Sequence, residues 1–186
     1  MGDRTMNRFH CIALPVVALL SLYVEAALAG PRALLGAQIA VLPALVVFAA
    51  LRASFPAMLG LVVLGALWRD TLSADPLGLS LVPLAWAGTA VHFNRHLIVS
   101  DQFYARFMVG ALAGAAVPLL MLLELYTSGR EPLAGWFFAW QLAVMTVGSG
   151  LLVPLYFLLF DWLEHAFIHP AVVADLRARP RPQTRR

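Results

Sequence analysis

Lysine is absent from this 186-residue chain, and all 13 of its basic residues are arginine. Cysteine occurs once, at Cys11, so no internal disulfide can form. Charge of either sign is scarce, at 12% of residues against about 25% in an ordinary soluble domain. Apolar residues make up 61% of the chain, and the mean hydropathy is +0.81. A soluble domain of this size has a large surface for its volume and needs a polar exterior. These shortages exclude a soluble enzyme, a disordered chain and a disulfide scaffold. An integral membrane protein remains. The pI near 9.6 suggests nucleic acid at first sight. However, the arginines are scattered through short gaps between apolar runs and gather only at the C-terminus, so no nucleic-acid partner is expected.

A helix needs about 20 apolar residues to cross the hydrocarbon core. Six runs qualify, over residues 9–29, 33–51, 55–72, 77–99, 105–126 and 136–163. They are continuous rather than alternating, which disfavours a barrel, and open sheets cannot span lipid. The expected fold is therefore all-α, a six-helix transmembrane bundle. Residues 1–170 form one polytopic domain, and 171–186 form a basic cytoplasmic tail without structure, whose arginines suit anionic headgroups. With the N-terminus inside, Arg4, Arg8, Arg52, Arg95, Arg106 and the tail's five arginines share one side, leaving Arg32, Arg69 and Arg130 on the other. That bias puts both termini in the cytoplasm. Arg4, Arg8 and the later Ala27-Leu28-Ala29 also fit a cleavable signal peptide. The length of the run and Glu25 just before the site argue for a retained span.

Ionisable residues within spans are costly, roughly 2.5 to 3.5 kcal/mol each even on a lenient scale, and so are informative. Glu25, Arg69 and Glu124 all end spans on the outer side. Either they form a buried charge network that ties helix ends together, or they line an outward polar pocket. On the inner side, Asp161 and Glu164 share a helical face. His92 and His96, like His165 and His169, are four apart, but neither pair has the glutamate of a zinc-protease helix. Ser149 lies between Gly148 and Gly150, an arrangement that serves close packing more often than nucleophilic catalysis. Phosphate loops, dinucleotide fingerprints and redox cysteine pairs are missing, so neither catalysis nor a cofactor or metal is expected. Gly110 and Gly114 give the fifth span a small-residue face for helix packing. Pro83, Pro118 and Pro154 lie inside the expected spans and should kink them.

Residues 68–81, WRDTLSADPLGLSL, join the third and fourth spans with almost no polar loop. Asp75 is placed to cap the fourth span, with Pro76 at its first helical position. Gly78 permits a positive φ. Asp70, at the end of the third span, needs a donor, and the free N–H groups opening the fourth are the nearest.

This segment resembles the MreD family of rod-shape-determining membrane proteins. The matching residues are Leu64-Gly65-Ala66-Leu67-Trp68, then Asp70, then Pro76-Leu77-Gly78. Ala37 stands where the family often has proline, Gln38 takes the following polar place, and Arg69 replaces an apolar residue. The wider layout is similar from Leu34 to Leu163. The resemblance implies a fold like the substrate-binding subunit of energy-coupling-factor transporters. It implies a non-catalytic scaffold of the bacterial cell-elongation and peptidoglycan-synthesis machinery in the inner membrane, with Asp70, Asp75, Pro76, Leu77 and Gly78 as its structural or partner motif. The implied partners are MreC and, through it, MreB, RodA and a class B penicillin-binding protein. A small-molecule transporter subunit, taking a vitamin or metal, is the alternative.

Overall fold

A computed structural model describes residues 14–23, 25, 36–37, 40–72, 78–96, 102–129 and 135–178, with side chains through residue 163. Among these the chain is all-helical. The helices are α1 (Leu14–Tyr23), α2 (Val41–Arg52), α3 (Phe55–Leu72), α4 (Leu81–Asn94), α5 (Phe103–Thr127) and α6 (Trp136–Ala178). Three are long and apolar enough to cross a membrane: α3, α5 and the Trp136–Leu163 part of α6. At 1.5 Å per residue, their 18, 25 and 28 residues measure about 27, 37 and 42 Å.

Among its described residues the second apolar run is helical from Val41, whereas its hydropathy suggests a helix from residue 33. Gly36 has φ +61°, Ala37 lies in the same bend, and Ala40 is extended. Pro43 supplies the reason. Its ring collides with the carbonyl four residues back, and it has no N–H to give that carbonyl. A helix containing Pro43 is therefore most stable when it starts just before it, where N–H groups are free anyway. Pro83 does the same for α4, which begins at Leu81 rather than 77. Pro83 thus sits in a first turn and has no helix behind it to kink. The N-cap position of α4 falls on Ser80, not Asp75. Asp75, Pro76 and Leu77 lie outside the described residues.

The C-terminal end differs as well. Helix α6 continues to Ala178, so residues 171–178, expected to lack structure, are helical. Alanine, leucine and arginine there are strong helix formers.

The core lies around α2, whose residues from Leu42 to Ala50 are all buried. A helix buried on every side must have neighbours on every side, and α2 contacts α3, α4, α5 and α6. Leu42 fills the space left by Gly65 of α3, and Val46 with Met58 fills that left by Gly88 of α4. Phe48 stacks on Phe160 at 4.4 Å and meets Phe157 edge-on at 4.9 Å.

The most extensive interface joins α5 to α6. There Gly110 and Gly114 let the backbones approach, as their spacing predicts. A Cβ on Gly114 would sit 2.6 Å from Ser149 Cβ and 2.8 Å from the Met145 carbonyl; one on Gly110 would sit 2.7 Å from the Ser149 carbonyl. Lipid is as apolar as the side chains, so such contact replaces the missing hydrophobic drive. Gly114→Ala should therefore destabilise the protein by about 1–3 kcal/mol, the usual range for overpacking. Gly60→Ala, with nothing within 4 Å, should be neutral or slightly stabilising. Unfolding in mixed micelles, with both variants run beside the parent, checks this.

Candidate functional site

Two groups of polar side chains organise the described bundle. The first closes the α3–α4 hairpin. Asp70, in the last turn of α3, is only 2% exposed. Its Oδ2 accepts the Gly78 N–H at 2.7 Å, as the need for a donor from the start of the fourth span anticipates. Gly78 has φ +96°, which a side chain would strain. Its carbonyl accepts the Leu81 N–H at 3.1 Å, and the Ser80 carbonyl accepts Leu84 N–H at 3.2 Å. One carboxylate thus fixes the turn from which α4 starts. Asp70 Oδ1 is also buried, with no hydrogen-bond partner among the described residues.

The second group surrounds the start of α2. Glu25 Oε2 accepts the Val41 N–H at 3.3 Å, placing a negative charge on the free donors of the helix. Ser149 Oγ donates to the Ala40 carbonyl at 3.2 Å, and the Tyr156 hydroxyl donates to Ser21 Oγ at 3.0 Å. Ser149 is halfway along Trp136–Leu163, so α2 begins level with the middle of that apolar stretch.

Glu25, Arg69 and Glu124 were expected at similar depth. Glu25 serves α2, while Arg69 and Glu124 stand partly exposed near the ends of α3 and α5. Among the described residues no ion pair joins the three; the pair that forms there is Arg52 with Asp161, at 3.0 Å. Sequence reading gave Arg52 no structural role, although an arginine closing a helix marks one that can neutralise its C-terminal carbonyls. It also passed over Pro43, the signal that α2 starts late.

His92 Nδ1 lies 2.9 Å from the Ala50 carbonyl and must donate to it, since a carbonyl only accepts. Its ring also packs against Phe55 at 5.4 Å. No cluster of potential metal ligands occurs among the described residues. Ser149 Oγ directs its proton to a backbone carbonyl, the arrangement of a packing serine. A cavity of about 240 Å³ lies between α1 and α3, lined by Leu19, Leu22, Tyr23, Trp68, Thr71 and Leu72. Its walls offer shape and dispersion, and the polar groups of the lining side chains are the Tyr23 and Thr71 hydroxyls and the Trp68 indole N–H.

No protein-family model, curated protein or solved structure matches the chain.

Removing the carboxylate at Asp70 leaves the Gly78 N–H without its partner. Asp70→Ala should lower stability by about 1–3 kcal/mol. Asp70→Asn keeps an acceptor oxygen and should lose less. Gly78→Ala, forced to a positive φ, should cost about 1–2 kcal/mol. Equilibrium unfolding of the three variants in detergent distinguishes these outcomes, and equal losses for Asn and Ala would show that the acceptor is not the point.

Proposed function

We propose that this protein is a non-catalytic membrane scaffold of the MreD kind, serving the bacterial cell-elongation machinery. One observation carries the reading. The Asp70–Gly78 hydrogen bond gives a structural purpose to the two ends of the segment on which the resemblance rests. An aspartate ending one helix, a short turn and a glycine opening the next form a hairpin whose shape depends on one buried carboxylate, which suits docking against other helices.

On this reading all six apolar runs lie in the inner membrane, with both termini in the cytoplasm and the hairpin outside. The half-length α2 is then enclosed by the others, in an arrangement like that of energy-coupling-factor substrate subunits. Its partners are MreC and, through it, MreB, RodA and a class B penicillin-binding protein. The second reading is a subunit that captures a vitamin or metal, and the cavity between α1 and α3 is what favours it. Ligand pockets usually measure about 300–1,000 Å³ and carry several convergent polar groups. The present cavity is smaller and nearly all apolar, which favours the scaffold.

Co-expression with MreC and purification in mild detergent tests the proposal. MreC should co-purify with the parent, and its recovery should fall with Asp70→Ala at unchanged membrane abundance. Depletion in the native host should cost the cell its rod shape. No recovery of MreC together with unchanged cell shape would overturn the reading; a vitamin or metal retained through purification would favour the second.

A further inference from the structure

The cavity between α1 and α3 is built by the C-terminal turns of both helices. Leu19, Leu22 and Tyr23 come from α1, and Trp68, Thr71 and Leu72 from α3, so the two helices run parallel where they meet there. Leu19, Tyr23, Thr71 and Leu72 are exposed while Leu22 is buried, so the cavity is a groove with a closed floor and an open side. Helix α3 has 18 residues and measures about 27 Å, against a hydrocarbon core of about 30 Å. Its last turns therefore reach the boundary of that core, the level at which tyrosine and tryptophan are favoured. Val16, one turn before Leu19, and Leu64, one turn before Trp68, are also exposed. They continue the apolar surface from the groove toward the middle of the membrane.

Donors are in excess at this groove. Thr71 Oγ1 gives its proton to the Trp68 carbonyl at 2.8 Å. The Trp68 indole N–H and the Tyr23 hydroxyl have no hydrogen-bond partner among the described residues, and an indole N–H can only donate. Arg69 follows Trp68 and, three positions before Leu72, is its neighbour on the helix surface. It is partly exposed and has no ion pair among the described residues. The groove is thus complementary to a molecule that is apolar along its length, accepts hydrogen bonds at one end and carries a negative charge beside that end. Another membrane helix fits poorly, because its backbone carbonyls are already paired within the helix.

We propose that this groove is a phospholipid site. One acyl chain lies against Leu19, Leu22 and Leu72, an ester carbonyl accepts from Trp68 or Tyr23, and the phosphate sits within reach of Arg69. Chain, ester and phosphate follow one another in a phospholipid as Leu64, Trp68 and Arg69 follow one another along α3. The size agrees with this occupant. A volume of about 240 Å³ is below the roughly 300–1,000 Å³ of a site that encloses a whole small molecule, but it suits one segment of a chain that continues along an exposed surface. The proposal does not depend on the scaffold reading.

The test uses the full-length chain, delipidated in detergent and read by native mass spectrometry. It is titrated with dioleoylphosphatidylcholine, with dioleoylglycerol, which has the same chains and esters but no phosphate, and with glycerophosphocholine, which has the phosphate but no chains. The parent should bind phosphatidylcholine about tenfold more tightly than dioleoylglycerol, the effect of one charged contact. Glycerophosphocholine should neither bind nor displace it. Arg69→Gln should abolish the preference and leave the binding of dioleoylglycerol unchanged. Leu19→Trp, which fills the groove, should weaken both lipids by about tenfold or more. Leu119→Trp, on an exposed face of α5, should leave both unchanged. Arg69→Gln carries the test if Leu19→Trp does not fold. Equal binding of the two lipids by the parent, an unchanged preference in Arg69→Gln, equal losses for Leu19→Trp and Leu119→Trp, or displacement by glycerophosphocholine would each overturn the site. Failure of the parent to bind either lipid would also overturn it, in favour of a partner helix as the occupant.

Discussion

A twelve-residue helix buried at the centre of a bundle cannot leave its ends to water, and several of the polar contacts between helices among the described residues follow from that constraint. An α-helix has unpaired N–H groups at its start and unpaired carbonyls at its finish. In a helix that spans the membrane, both ends reach the headgroup region. Helix α2 measures about 18 Å, and its start lies level with the middle of the apolar stretch of α6. Its free groups must therefore be met by side chains from other helices. Glu25 meets the Val41 N–H, and Ser149 adds a bond to the carbonyl of Ala40, the N-cap residue, which holds the chain where the helix begins. At the other end His92 meets the Ala50 carbonyl, and Arg52 closes the helix while pairing with Asp161. These contacts recruit residues near the end of α1, from the end of α4 and from two levels of α6.

The same contacts set direction. Ala40 with Ser149, Phe48 with Phe157 and Arg52 with Asp161 advance together, so α2 and α6 run parallel. Polar contacts fix the two ends, and the aromatic stack fixes the middle. Helix α5 then packs antiparallel along α6 through Gly110 and Gly114, with its Arg106 guanidinium carbon 4.0 Å from the Phe157 ring centroid. Association in an apolar solvent depends on close fit and on satisfied polar groups rather than on burial. Here both devices meet at Ser149: it fills the space opposite Gly114 and also satisfies the backbone before α2.

How much of this was legible depended on whether the deciding interaction was local. Helices α3 and α5 were readable because long apolar runs without an internal stop fix both length and environment. The Asp70–Gly78 bond was readable because an acid at a buried helix end has few donors in reach. The packing of Gly110 and Gly114 followed from their spacing. The start of α2 was also local, in Pro43, but the hydropathy of the surrounding run masked it. The partner of Glu25 was not local: Val41 N–H is a backbone group whose exposure depends on the helix beginning late. Asp75 looked like a cap for the fourth span because acids before proline usually are; the later start, at Leu81, again follows a proline in the first turn. Arg52 and Asp161 are 109 residues apart, and nothing in either neighbourhood points to the other.

Helix α2 is thus tied at both ends and along its length to α6, and a body fixed in this way has no obvious hinge. The α3–α4 hairpin is held differently. It packs on α2 through Gly65 and Gly88, and its turn depends on one carboxylate with one oxygen engaged. Of the two, the hairpin is the part that yields more easily. Displacing α2 means exposing a carboxylate, a serine and a histidine together with unpaired backbone groups. Reshaping the turn disturbs the single side-chain hydrogen bond that Asp70 accepts from the Gly78 N–H, while its second oxygen is already without a partner among the described residues. A locked centre beside a lightly held edge fits the proposed scaffold role, in which the core would keep its shape while the edge adapts.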